Sequence, residues 1–154
     1  MIEIPKSSTA DTRTCDFAQV SKETLYKSSQ QHILDVRRAL LFFRYMLDDA
    51  SARHDFDKLL DIDGFYSDFR TGFKVTTWWD RHRQLNRHHL NVEDGVPADV
   101  NLIDVLDMIA DGVMAGAARS GVENIYPPQI SDEVLKRALA NTFELLKANV
   151  KVIA

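Results

Sequence analysis

Apolar residues recur at steps of three and four along most of the chain, the spacing that places them on one face of an α-helix. The first such stretch follows Ser21, a favourable N-cap residue, and continues to about Ala52. A core position is predicted for the residues on its apolar face, which are His32, Val36, Ala39, Leu40, Phe43 and Leu47. A histidine on such a face is either hydrogen-bonded within the core or a ligand, and the pattern alone leaves both interpretations open.

The middle of the chain predicts shorter helices. Residues 56–62 continue an apolar face, Gly64 interrupts it, and the aromatic residues within 65–69 indicate a packed turn or a further short helix. Residues 75–79 have the composition of a strand, but no other segment provides a partner strand. We therefore predict a helix from Lys74 to about His89.

The C-terminal part predicts two longer helices. Residues 91–101 are expected to form a loop that contains Asp94-Gly95, and Asn101 is a candidate N-cap for a helix over residues 102 to about 118. A last amphipathic helix is predicted from Ser131 through Lys147. The pattern as a whole predicts an all-α fold of five or six helices.

Composition restricts the class of protein further. Residues 1–20 lack a sustained apolar period, so we predict a flexible N-terminal arm followed by one helical domain over residues 21–154. The net charge of −4 and the pI of 5.7 argue against non-specific binding of nucleic acid or anionic membranes. The single Cys15 cannot form an internal disulfide, and no apolar run is long enough to span a membrane. A cytoplasmic protein is expected.

Three acids lie on the predicted helix that follows Asn101. Asp104, Asp107 and Asp111 are spaced at i, i+3 and i+7, so they form one stripe. Such a stripe is either a solvated face or, because apolar residues surround it, a buried set of carboxylates that needs compensation. The second interpretation favours a metal ion or a cluster of cationic side chains.

The histidines all precede this acidic helix, and they are His32, His54, His82, His88 and His89. Imidazole and carboxylate groups both bind divalent metals, and at a helix end the adjacent side chains of His54 and Asp55 can converge on one ion. His82 and His89 are seven residues apart, which would place them on the same side of a continuous helix. His88 would then point elsewhere, toward a neighbouring helix or a substrate.

Basic and aromatic residues accompany these candidates. Arg81, Arg83 and Arg87 flank the histidines and are either an exposed basic face or, beside a metal, partners for phosphate. Lys58 follows His54 by about one helical turn and adds a further positive charge. Trp78 lies near the histidines in the sequence and is available to exclude water from such a site.

The order of these residues resembles the HD-domain superfamily of metal-dependent phosphohydrolases, which are all-α proteins with a His…His-Asp…Asp metal site. More narrowly, the chain is similar to a small HD-like family of bacteria and phages. The resemblance covers about residues 30–118 and rests on three stretches, which are His54-Asp55-Phe56-Asp57-Lys58-Leu59, Trp79-Asp80-Arg81-His82 leading to Asn86-Arg87-His88-His89, and residues 101–111. The spacing from His82 through Asn86 to the His88-His89 pair is its most specific element.

The resemblance implies a set of roles. The core metal ligands would be His32, His54, Asp55 and Asp111. His82 with His88 or His89 would complete a second metal position or hold the scissile phosphate, and Lys58 would contact phosphate. The chain has Asp107 where the family commonly has Glu, and Gly112 where it usually has an aromatic residue. Asp111 is ranked above Asp107 as the ligand from this helix.

The implied function is hydrolysis of a phosphate ester or anhydride, with a nucleotide as the expected substrate class. One or two divalent ions (Mn, Mg, Fe, Co, Ni or Zn) would activate water. Catalytic roles are expected for Asp55, Lys58, His82 and Asp107. Substrate contacts are expected for Lys58, Arg81, Arg83, Arg87 and Trp78. Two alternatives stay open, a di-iron oxygenase on a related scaffold and a non-catalytic protein that binds a nucleotide or a host factor in a bacterium or phage-infected cell. The oligomeric state is open as well.

Overall fold

The computed structural model describes residues 1–75, 77–91 and 95–154. Six α-helices and two short strands lie within these ranges, which confirms the predicted all-α class. The helices are α1 (Lys22–Arg53), α2 (Phe56–Leu60), α3 (Ile62–Arg70), α4 (Trp78–Leu85), α5 (Leu102–Ser120) and α6 (Asp132–Ala148). The strands are β1 (Ile2–Pro5) and β2 (Val150–Ile153). No helix in the described part of the chain is both long enough and apolar enough to cross a membrane.

The chain divides into two units. The first comprises Met1–Met46 with Glu144–Ala154, and the second comprises Leu47–Phe143. The division falls inside α1 and α6. Every residue of the candidate metal centre described below belongs to the second unit.

The first unit joins the two ends of the chain. Strand β1 pairs in parallel with β2, with Ile2 opposite Val150, an element that the sequence pattern did not predict. The residues between β1 and α1, predicted as a flexible arm, include a 3-10 turn at Thr12–Thr14 that the side chain of Asp11 caps. Their flexibility stays a prediction.

The apolar face of α1 was predicted to lie in the core. This prediction is wrong, because several side chains on that face are exposed in the single chain. Val36 is 42% exposed and Leu40 is 61% exposed. The buried residue of this helix is instead Ser28, whose hydroxyl faces the Cys15 thiol, and Gln31 donates to the Pro5 carbonyl. The N-terminal residues therefore contact the side of the helix that carries Ser28 and Gln31.

The core of the second unit lies between α5 and α6. Its buried members are Leu90, Val100, Val105, Met108 and Ala138. As predicted, Asn101 is the N-cap of α5, and Asp104 completes a capping box with it. The helix ends at Gly121, whose φ of 80° is readily adopted only by glycine. These caps set the register of the acidic residues on α5.

The helix predicted over residues 74–89 is shorter than expected. Helix α4 covers only Trp78–Leu85, because Gly72 and Phe73 have positive φ values before it and Asn86 is its C-cap. Two parts of these predictions lie outside the described residues. They are the position of Thr76 in the predicted helix and residues 92–94 of the predicted loop. His88 and His89 are thus in a non-helical segment, where they are free to turn in directions that a helix would not permit.

Candidate metal centre

His54 and Asp55 lie at the junction of α1 and α2, where the chain changes direction. The His54 amide still donates to the Ala50 carbonyl, as in the last turn of a helix. Asp55 then adopts a left-handed conformation with φ 53° and ψ 18°. Aspartate tolerates this region better than most residues with a Cβ. The turn allows adjacent imidazole and carboxylate groups to face the same site, as the sequence suggested.

Two groups of potential ligands meet at Asp55. The His54 group consists of His54, Asp55 and His88, and the His82 group consists of Asp55, His82 and His89. In each group the ligand atoms lie within 4.8 Å of one another, which is close enough to hold one metal ion. A single carboxylate is therefore shared by both groups.

The distances show how Asp55 connects the histidines. Its Oδ1 atom lies 3.4 Å from His82 Nε2 and 3.7 Å from His88 Nε2. Its Oδ2 atom lies 3.7 Å from His54 Nε2, and His82 Nε2 lies 3.0 Å from His89 Nε2. Opposed imidazole nitrogens and a carboxylate between them are a donor set suited to divalent transition metals.

Two buried polar atoms in the site lack a hydrogen-bond partner within the described chain. They are Oδ1 of Asp55 and Nδ1 of His88. An unpaired buried acceptor is costly unless a cation or a donor compensates it. The residues present thus fit a bound cation, and Asp55 Oδ1 faces both histidine groups.

Carboxylates orient two of the imidazoles. His82 Nδ1 lies 2.9 Å from Asp57 Oδ2, and His54 Nδ1 lies 2.8 Å from Asp107 Oδ1. Because a carboxylate accepts hydrogen bonds, each Nδ1 carries the proton, and each Nε2 presents its lone pair to the site. This is the usual arrangement of metal-binding histidines and their outer partners.

The site also shifts the pKa values of its members. Burial raises the pKa of the Asp55 carboxyl, but the hydrogen bond and charge of Lys58 and the neighbouring His54 and His88 together lower it by more, so the net pKa is below its ordinary value. Burial is the main cause that lowers the pKa of His88. Burial, followed by the neighbouring His88 and His82, lowers the pKa of His89 to about 4. At neutral pH the carboxylate is ionised and both imidazoles are neutral, which are the forms that bind metal.

The three acids of α5 have different partners. Asp104 is buried and accepts two hydrogen bonds from the Arg87 guanidinium, at 2.7 and 2.8 Å. Asp107 orients His54 and lies 3.6 Å from His88 Nδ1. Asp111 Oδ1 lies 3.8 Å from His54 Nε2, and its side chain is 43% exposed. The structure thus shows the expected cationic partner for Asp104, whereas Asp107 and Asp111 lie beside histidines of the candidate metal centre.

His32 is placed in the first unit. Its Nδ1 atom lies 3.9 Å from Asp11 Oδ2, and half of its side chain is exposed, so it is not the core residue that the helical pattern predicted. Neither three-ligand group found among the described residues contains it. Its role as a ligand stays a prediction.

The predicted phosphate-binding residues all have acidic partners. Lys58 donates to Asp55 Oδ2, so its charge lies at the shared carboxylate. The three arginines pair elsewhere, Arg81 with Asp61, Arg83 with Asp80, and Arg87 with Asp99 and Asp104. Trp78 donates its indole N–H to Asp61 and stacks on His82, with ring centroids 5.1 Å apart.

Two residues of the site were quoted in the sequence motifs without a role, Asp57 and Asn86. Both are buried, and the Asn86 side chain hydrogen-bonds Asp57, His82 and the Asp55 backbone. Only their spacing from the candidate ligands could have identified them in the sequence. Asp57 follows Asp55 by two residues in the first turn of α2, and Asn86 follows His82 by one helical turn.

A cavity of about 310 Å³ adjoins the His54 group. Its lining is formed by Ser51, His54, Asp107, Ala110, Asp111, Met114 and Ala115. A second cavity, of about 290 Å³, is lined by Gly64, Ser67, Thr77, Trp78 and Arg81. The first cavity has the size of a small-ligand site and brings a ligand directly to His54.

Comparison with known proteins gives no relative: no family model, no curated protein and no solved structure matches this chain. The resemblance to the HD-domain superfamily stays a prediction from the sequence motifs.

The lowered pKa of His89 predicts a pH dependence of folding. In the metal-free protein the folded state has a His89 pKa of about 4, whereas an unfolded histidine has a pKa of about 6.5. Between these values the unfolded state binds more protons, so stability should fall as the pH is lowered from about 6.5 to about 4. The measurement is the urea midpoint of metal-free wild type and His89→Asn across this range. The variant should show a shallower slope, and equal slopes would contradict the prediction.

Proposed function

We propose that this chain is a metal-dependent phosphohydrolase that cleaves a phosphate ester or anhydride of a small, nucleotide-like substrate. The observation that carries the proposal is the Asp55 carboxylate, which two histidine-containing groups share and whose buried Oδ1 has no hydrogen bond from the described residues. Hydrolysis assisted by one or two ions is a chemistry that such a donor set supports.

The residues that would hold the metal are His54, Asp55 and His88 at one position, and Asp55, His82 and His89 at the other. Divalent ions bound there would lower the pKa of water and polarise a phosphoryl oxygen. Asp57 and Asp107 keep the protons of His82 and His54 on Nδ1, so that each Nε2 stays available as a ligand atom.

We assign proton transfer to Asp111, which the resemblance ranked as a metal ligand but which is in neither ligand group found among the described residues. Its carboxylate is partly exposed, lines the cavity and lies 3.8 Å from the ligand atom of His54. It is therefore within reach of a water molecule at the His54 group and is suited to accept its proton. Asp107 uses one oxygen to orient His54, so the structure favours a positioning role for it over the catalytic role that the sequence suggested.

Substrate binding is expected in the cavity beside His54. Among the described residues the lining includes two acids, one histidine and no lysine or arginine, so the positive charge for a phosphate must come from bound ions and from Lys58. The Lys58 ammonium already lies at Asp55 Oδ2, where it can exchange this partner for a phosphate oxygen. A nucleotide is the expected substrate by analogy with HD enzymes.

The test combines metal analysis with a substrate screen. Wild type and a His54→Ala, Asp55→Ala double variant are purified, and their bound metals are quantified by elemental analysis. Both proteins are then incubated with a panel of nucleotides and Mn²⁺ while phosphate release is followed. The wild type should bind metal and release phosphate, and the double variant should do neither.

Other results would contradict the proposal in distinct ways. Equal, negligible metal in both proteins under metal-replete conditions would remove the metal centre. Bound iron with oxygen-dependent turnover and no phosphate release would favour the di-iron oxygenase alternative.

A further inference from the structure

Asn86 occupies a central position in the candidate metal centre although it is in neither ligand group. It is the C-cap of α4 and is only 3% exposed. Its Nδ2 atom donates to Asp57 Oδ1 at 2.8 Å and to the His82 carbonyl at 3.0 Å. Its Oδ1 atom accepts from the backbone N–H of Asp55 at 2.9 Å. One side chain thus contacts both sides of the site.

The contact with Asp55 matters because of the backbone conformation there. A residue with a Cβ is disfavoured in the left-handed region, and neighbouring groups must hold it there. The Asp55 N–H has a buried side-chain acceptor in Asn86, which is 31 residues away in the chain. In this conformation the Asp55 carboxylate reaches His54, His82 and His88 together.

The contact with Asp57 acts on the other ligand. Asp57 Oδ1 accepts from Asn86 Nδ2, and the same carboxylate holds the His82 ring through Nδ1. Asn86 Nδ2 also lies 3.0 Å from His82 Nδ1, but its two hydrogens are directed to Asp57 and the His82 carbonyl, so the proton on His82 Nδ1 is donated to Asp57. The orientation of His82 therefore depends on Asn86 as well as on Asp57.

We infer that Asn86 is a positioning residue that fixes Asp55 and His82 relative to each other, so that one carboxylate serves two metal positions. This inference rests on the proposed metal centre. The side chain at position 86 must be short and must provide two N–H donors and one oxygen acceptor. Aspartate lacks the donors, and serine is too short to reach Asp55 and Asp57 at once.

The experiment compares Asn86→Ala and Asn86→Ser with wild type and with Asn141→Ala. Asn141 is a matched control, since its Nδ2 atom donates to the carbonyls of Ala98 and Val100 in the same unit, remote in sequence from the ligands. Serine at position 86 can keep the capping bond to the His82 carbonyl. Asn86→Ser therefore separates the capping of α4 from the positioning of Asp55 and His82. It also keeps the test valid if Asn86→Ala fails to fold.

Three readouts are used on folded protein: Mn²⁺ content, exchange coupling between paired Mn²⁺ ions by electron paramagnetic resonance, and hydrogen exchange of the Asp55 amide without metal. Wild type and Asn141→Ala should bind two coupled ions. Both Asn86 variants should bind one ion or fewer and lose the coupled signal. Their Asp55 amide should exchange about tenfold faster or more, as expected when a hydrogen bond is lost.

The possible failures are distinguishable. Two coupled ions and an unchanged Asp55 amide in the Asn86 variants would overturn the inference and leave the proposed function standing. The same loss of metal in Asn141→Ala would overturn it too, because general destabilisation would then explain the effect. A wild type with two coupled ions but no phosphate release would contradict only the proposed hydrolysis. A wild type that binds fewer than two ions would overturn the shared site and this inference with it.

Discussion

Replacing Asp55 with asparagine is expected to remove metal from both groups at once. Asp55 is the one member common to the two groups, so its loss leaves each with two imidazoles. Asparagine tolerates the left-handed backbone at this position, and its neutral amide is a much poorer metal ligand. The loss in affinity should exceed the roughly 10–100-fold that removal of an outer hydrogen-bonding partner costs.

The measurement is metal titration followed by the fluorescence of the two tryptophans, both of which stack on His82 within 5.1 Å between ring centroids. Co²⁺ or Ni²⁺ bound to the His82 group should quench this fluorescence in wild type and not in Asp55→Asn. Asp63→Ala is the matched control, because Asp63 is an exposed acid in the first turn of α3. Retention of wild-type affinity in Asp55→Asn would show that the groups do not bind metal through the shared carboxylate.

Replacing Arg87 with alanine is expected to destabilise the fold by about 2–3 kcal/mol. Removal of one partner from a fully buried ion pair costs roughly 3–5 kcal/mol. The value is discounted here because the Arg87 side chain is 36% exposed, whereas the Asp104 side chain is 6% exposed. The buried Asp104 would lose two hydrogen bonds, and it also accepts from the Asn101 amide in the cap of α5. The free energy of unfolding is measured by urea denaturation.

The control for this prediction is Arg81→Ala. Arg81 pairs with Asp61 at the surface, with both side chains about half exposed, and such pairs contribute about 0–1 kcal/mol. A normal unfolding free energy for Arg87→Ala, together with a raised KM for a phosphorylated substrate, would contradict the structural role. It would instead support the phosphate-binding role that the sequence suggested.

Four cationic residues were predicted to contact phosphate, and their partners in the structure show what a local sequence pattern can and cannot predict. A basic residue beside a histidine predicts a phosphate contact only if its charge is not already neutralised. For Arg81 and Arg87 the partners are acids whose proximity follows from packing in the second unit. Arg83 and Lys58 instead pair with acids three positions away in the chain, Asp80 and Asp55. Only these two pairings were within reach of a local pattern.

The same limit applies to α1. Its apolar period correctly predicted a helix, and the observed bounds of Lys22–Arg53 lie within a residue or so of the expected ones. Periodicity reports that a face is apolar, but it does not report what covers that face. Within the chain, the N-terminal residues cover the side that carries Ser28, and Val36 and Leu40 remain exposed.

The sequence by itself determined the all-α class, the N-cap of α5 at Asn101 and the residue types of a candidate metal site around His54-Asp55. These features depend on interactions within a few positions, namely helical periodicity, capping and the pairing of adjacent ligands. Only the tertiary structure decided that Asp55 belongs to both ligand groups, that Asn86 accepts a hydrogen bond from its backbone N–H, and that Arg87 pairs with Asp104. Those contacts join residues 17 to 33 positions apart, and their geometry arises from how helices and a left-handed turn pack together, which no local spacing specifies.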